Sequence, residues 1–284
     1  MIVIWSDDKW AKRGKRQLWN CTSQFVLDPA VVLRARGPAG VVDSDIVTFA
    51  RERLGFVVEP SQVAFLQSRA KRGIVNCSRQ WGKTTLAALK AIYRALTMPR
   101  CLVLVAAPTE RQSGLVLERV EQLAAPLSLR LKGDGYNKLS LKFPNDSRIV
   151  GLPGKEANIR GFGAVSLMII DEAARVPDSL YKALRPMLAV GGGDLWVMST
   201  PKGRSGFFYD EFEFGGERWE RHQVAATECA PRITGEFLEE EVESMGAAWV
   251  KQEYFCEFVS SGGEMFDRVM VEEAVDPGLA ALVF

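Results

Sequence analysis

Residues 73 to 85 read GIVNCSRQWGKTT, and no other stretch constrains the fold as tightly. A short apolar, β-branched run (GIVNC, 73–77) predicts a buried strand, and TTLAALKAIYRAL (84–96) predicts a helix of good formers. Between them lies a turn that ends in Gly82-Lys83-Thr84. Strand, glycine-bearing turn and helix together wrap backbone N–H groups around phosphate at a helix N-terminus. In such a loop the lysine reaches the β- and γ-phosphates and the following hydroxyl holds Mg²⁺. The nucleotide-binding candidates are therefore Cys77, Ser78, Arg79, Gln80, Trp81, Gly82, Lys83, Thr84 and Thr85, with Thr84 also a metal candidate. Cys77 stands where the usual pattern has a glycine that eases the turn, and Arg79 lies inside the loop. On its own the stretch reads either as a phosphate loop or as an ordinary strand–turn–helix with an exposed Gly-Lys.

The rest of the chain predicts an α/β fold with a mostly parallel, doubly wound sheet. Continuous apolar runs at 101–107 (CLVLVAA), 166–170 (SLMII) and 194–199 (DLWVMS) fit strands covered on both faces. Helical patterns alternate with them at 45–56, at 61–72 with Ser61 as N-cap, and at 110–124. The segment 138–152 predicts a hairpin turning at Pro144 to Ser147. His222 falls in a further predicted strand, and the acidic stretch 236–246 reads as a solvated helix face.

Two more stretches bear on chemistry. SLMIIDEAA places Asp171 at the carboxyl end of a buried strand, beside the phosphate loop, to support Mg²⁺. Glu172 follows, placed to act on water. In VMSTPKGRSGFFYD, Ser199, Thr200 and Pro201 end a strand, where small hydroxyl residues could sense the γ-phosphate; a plain strand-to-helix turn is the simpler reading of this stretch alone.

Together the three motifs resemble the large terminase subunit of tailed bacteriophages, the ATP-driven DNA-packaging motor, over about residues 45–265. SRQWGKTT is similar to that family's modified Walker A motif, which often lacks the leading glycine and carries an arginine. LMIIDEAARVP resembles its Walker B motif with the catalytic glutamate, and MSTPKGRSGFFYD its coupling motif. EPSQVAFL resembles its adenine-recognition motif and points to Gln62; VKQEYFCEF resembles the closing segment of its ATPase part. The resemblance implies a P-loop NTPase fold of the RecA/ASCE-like kind, with ATP and Mg²⁺ as ligands. It assigns phosphate and metal binding to Lys83, Thr84 and Asp171, and water activation to Glu172. Arg79 becomes an arginine finger acting in its own subunit, and Arg160, in IRGFG, a second arginine reaching a neighbouring subunit. Ser199, Thr200 and Pro201 become the coupling segment. The implied partners are double-stranded DNA, the portal of a procapsid, a small terminase subunit and further copies in a ring. A helicase-like ATPase and an inactive nucleotide-binding remnant of a prophage are the alternatives.

The division expected is a tail at 1–40, a P-loop ATPase domain at 41–260 and a linker remnant at 261–284. Only 17 residues follow Asp267, so no nuclease activity is expected in this polypeptide. The tail carries the basic run KWAKRGKR and Trp5, Trp10 and Trp19, read as a loose segment with scattered aromatics rather than a DNA-stacking surface. Net charge is +1, so DNA contact would come from local patches. Five scattered cysteines without a CxxC pair suit a reducing compartment. No stretch approaches a membrane span, and the expected location is the bacterial host cytoplasm, transiently at the portal.

Overall fold

The structure, a computed structural model, describes residues 45–152, 154, 161–229, 232–259 and 274. The tail with its three tryptophans, Arg160, and the 261–284 segment apart from residue 274 lie outside the described residues.

The strands are β1 (Arg72–Cys77), β2 (Leu102–Ala106), β3 (Ser140–Lys142), β4 (Arg148–Gly151), β5 (Val165–Asp171), β6 (Asp194–Ser199) and β7 (Glu220–Val224). They form one sheet in the order β3-β4-β2-β5-β6-β1-β7. Every pairing is parallel except β3 with β4, which is the hairpin expected at 138–152. All residues of β2, β5 and β6 are buried, as befits strands covered on both faces.

The helices are α1 (Ile46–Leu54), α2 (Pro60–Gln67), α3 (Lys83–Thr97), α4 (Glu110–Ala124), α5 (Asp178–Leu184), α6 (Phe207–Phe214), α7 (Gly235–Met245) and α8 (Ala247–Glu253). Successive strand residues point to opposite faces, so each strand feeds two cores. Val75, Val103, Leu167 and Trp196 pack with residues of α1, α2, α3 and α4 on one face. Ile74, Leu104, Met168 and Leu195 pack with residues of α5 and α6 on the other. The result is a three-layer, doubly wound arrangement, as predicted. α7 buries none of its residues, in keeping with a solvated acidic helix.

Three expectations are corrected. Ser61 does not cap α2: the helix starts at Pro60, whose fixed φ suits the first helical position, and Glu59 is the N-cap. The helix also stops at Gln67, and Arg72 already belongs to β1, because Ser68 turns extended with ψ at 136°. The strand bearing Asp171 is not β1's neighbour either. β6 lies between β5 and β1, with Asn76 opposite Ser199 and Asp171 opposite Met198. Ser199 and Thr200 therefore sit between the two chemical motifs.

Candidate active site

Because β1, β5 and β6 run parallel, their carboxyl ends open on one rim, where open α/β sheets bind ligands. β1 ends at Cys77, which is fully buried; burial pushes its thiol well above the ordinary range. The loop takes its left-handed φ values at Gln80 (63°) and Gly82 (97°), not at Cys77. A glycine at 77 is therefore dispensable, whereas Gly82 carries the conformation that only glycine adopts freely. Ser78 N–H donates to the Val224 carbonyl of β7, and Ser78 Oγ to the Arg79 carbonyl. Trp81 is fully buried and its Nε1 donates to Ser61 Oγ in α2. That bond accounts for Ser61 better than a cap does. Gly82 is the N-cap of α3, so the unpaired N–H groups of its first turn face the rim.

Lys83 and Thr84 open α3, and both meet the acidic pair. Thr84 Oγ1 donates to Asp171 Oδ2 at 3.0 Å, and Lys83 Nζ lies 3.8 Å from Glu172 Oε1. Asp171 is buried; burial first, then the Glu172 charge, raises its pKa to about 6 against the pull of Lys83 and Thr84. Burial opposes the Lys83 charge, but Cys77, Glu172 and Asp171 outweigh it and raise its pKa. Glu172 adopts a left-handed φ of 51°, an uncommon conformation for a side chain of its size. Its N–H donates to Asp171 Oδ1. A hydroxyl and a carboxylate at one point are oxygen ligands that suit a hard divalent cation, and the lysine beside them suits phosphate.

Gln62 is buried against the loop. Its Nε2 donates to the Trp81 carbonyl at 2.9 Å, and its Oε1 accepts from Glu59 N–H. Its amide is thus committed to the loop and to the start of α2. Thr85 is half-buried in the first turn of α3, and Gln80 is exposed. Arg79 pairs with a carboxylate outside the Asp171–Glu172 pair. Its Nε donates to Glu253 Oε2 at 2.7 Å, and its guanidinium lies 5.5 Å from the Trp249 ring centroid. Ser199, Thr200 and Pro201 are all buried; Ser199 Oγ has no hydrogen-bond partner among the described residues.

Sequence reasoning missed two residues. Arg175 donates to Glu172 Oε2 at 3.1 Å, to Thr200 Oγ1 at 2.9 Å and to Glu253 Oε1 at 3.0 Å. Glu253, at the end of α8, is buried and holds both Arg79 and Arg175. Burial opposes its charge, yet the Arg79 bond and the charges of both arginines lower its pKa. The signal for Arg175 is its position three residues after Glu172, within one turn of it. Nothing local marks Glu253 as buried.

Residues 74–272 match the family model described as terminase large subunit, T4likevirus-type, N-terminal. The chain belongs to this terminase family. Curated large terminase subunits of Thermus virus P23-45 and Thermus phage G20c are each 32 % identical over 185 residues, which is 58 % of this chain and 38 % of theirs. The chain thus spans well under half the length of those terminases. Among solved structures, the large terminase ATPase domain of Thermus phage P74-26 superposes with a TM-score of 0.65 and 27 % identity, over 78 % of this chain and 100 % of that one. The large terminase of another thermophilic bacteriophage has the same fold, with a TM-score of 0.62 at 18 % identity over 74 % of this chain and 57 % of that one. A further structure of that second terminase is a complex with ATP-gamma-S.

Proposed function

We propose that this chain is the ATP-hydrolysing motor portion of a phage terminase large subunit, with residues 41–260 as the motor, moving double-stranded DNA into a procapsid. The observation that carries the reading is the convergence of Thr84 on Asp171 and Lys83 on Glu172 at the carboxyl rim. The match to a terminase ATPase domain over its whole length supports the same reading.

ATP binds with its phosphates over the N-terminus of α3, where unpaired N–H groups and the Lys83 ammonium meet the negative charge. Thr84 and Asp171 would hold Mg²⁺, which would supply positive charge against the negative charge that develops on the phosphates. Glu172 orients the attacking water and takes its proton. The water oxygen bonds to the γ-phosphorus as the bond to the β–γ bridging oxygen breaks, leaving ADP and phosphate. Arg79 and Arg160 are the proposed charge-stabilising arginines. Gln62 acts on the base side through the loop it grips. Ser199, Thr200 and Pro201 lie between the motifs and relay the loss of the γ-phosphate. No helix among the described residues is long and apolar enough to cross a membrane. The proposed setting is the host cytoplasm, with a portal, a small terminase subunit and further copies of the chain in a ring.

The test is ATP hydrolysis with and without double-stranded DNA. Glu172→Gln is expected to lose roughly 10²- to 10⁴-fold in turnover, the usual scale for a positioned proton acceptor. DNA is expected to stimulate the wild type. A glutamine variant that turns over like the wild type sinks the assignment.

A further inference from the structure

We infer that Arg175 is a positioning residue for hydrolysis, which aims Glu172 and ties its position to Thr200. This rests on the ATPase reading of the site and adds a residue whose role the three motifs do not assign.

The guanidinium bonds three groups that come from three separate segments. One is the carboxylate of Glu172, after β5, and one is the hydroxyl of Thr200, after β6. The third is the carboxylate of Glu253, at the end of α8. Its Nη1 serves both Glu172 and Thr200, so neither acceptor can shift without loading the other. The Arg175 backbone N–H also donates to the Glu172 carbonyl at 2.9 Å, which holds the two residues in one tight turn. A guanidinium is planar and always charged, and its N–H directions are fixed, so it can serve three acceptors at set angles. An ammonium is a point charge and cannot reproduce the fork.

Glu172 needs that support. It sits in a left-handed conformation and is only partly buried, with its side chain 26 % exposed. Without Arg175 the carboxylate would still face Lys83 Nζ at 3.8 Å, a pairing that draws it toward the phosphate-binding lysine. Glu253 anchors Arg175 from behind: its carboxylate is buried, and Arg79 occupies its other oxygen. The acidic residue that acts on water, the segment proposed to relay phosphate loss, and α8 therefore meet at one side chain.

Steady-state ATP hydrolysis with double-stranded DNA, alongside nucleotide binding, tests this in Arg175→Ala, Arg175→Lys, Arg175→Gln and Thr200→Val. Arg175→Ala is expected to lose about 10²-fold in kcat, the cost of misplacing a reacting group by an ångström, with KM and nucleotide affinity little changed. Arg175→Lys is expected to fail as a rescue. Combining Arg175→Ala with Thr200→Val is expected to cost little more than Arg175→Ala alone, because coupled residues are not additive. If the alanine variant does not melt cooperatively, Arg175→Gln, which keeps the length and some donors, is read in its place. Unchanged kcat, full rescue by lysine, or strictly additive losses with Thr200→Val would each overturn the inference and leave the ATPase reading intact. A wild type that binds ATP and does not hydrolyse it with DNA overturns the ATPase reading, and this inference falls with it.

Discussion

Lys90, in the middle of α3, illustrates how a single charged side chain is accommodated in the core. It is 7 % exposed, and its Nζ donates to the carbonyls of Phe65 (2.9 Å), Ser68 (3.3 Å) and Leu66 (3.5 Å). The ammonium also lies 4.1 Å from the Trp196 ring centroid and 4.7 Å from that of Phe65. Burial and the charge of Arg94 nonetheless push its pKa down to about 7. In the unfolded chain the same group keeps its proton to about 10.5. Between those values the unfolded state binds more protons than the folded one, so stability rises with pH. The slope from this group approaches about 1.4 kcal/mol per pH unit, and it should be visible in urea unfolding at pH 7, 8 and 9. Lys90→Met removes that contribution; a variant with the wild-type slope would rule out Lys90 as its source.

At the scale of elements, the fit between β1 and β6 depends on a missing side chain. Gly73 in β1 lies against Trp196 in β6, and a Cβ there would approach the ring to 2.1 Å. Trp196 is itself buried between Phe65 and His222, so the ring has little room to yield. Gly73→Ala is expected to cost about 1–3 kcal/mol, the usual range for overpacking, read as a lowered urea midpoint. Much at this scale was legible in the sequence. The apolar runs at 101–107, 166–170 and 194–199 became β2, β5 and β6 because strands covered on both faces leave no polar alternation to misread. The hairpin was marked by Pro144 to Ser147, and Asp146 indeed takes a φ of 65°. Strand order was not legible. Nothing local in a strand states which neighbour it takes, so the insertion of β6 between β5 and β1 came only from the structure. The start of α2 was misplaced because Ser61 and Pro60 are both good helix-start residues, and proline's fixed φ decided between them.

For the whole molecule, the site is a meeting of distant segments. Lys83, Thr84, Asp171 and Glu172 were readable because each follows a strand with a recognisable pattern. Arg175 and Glu253 were not, because their roles depend on burial and on partners from elsewhere in the chain. A ligand that binds only the assembled site stabilises the fold as a unit. ATP with Mg²⁺ at 100 times its Kd adds about 2.7 kcal/mol, or roughly 5–10 °C in Tm for a molecule of this size. Thermal melting should register that shift in the wild type and little or none in Lys83→Ala. An equal shift in both would place the nucleotide somewhere other than this loop.

The phosphate loop is braced from behind by late parts of the chain. Ser78 N–H donates to the Val224 carbonyl, and Arg79 N–H to the Glu253 carbonyl. The Arg79–Glu253 pair spans 174 residues of sequence. A ribosome adding about 5–20 residues per second needs roughly 10–35 s to cover that distance. Through that interval the loop has been synthesised but lacks its supports. The proposed nucleotide handling therefore waits for the synthesis of α8, and a product interrupted before α8 carries the phosphate-loop and acidic sequences without the scaffold that sets them to work.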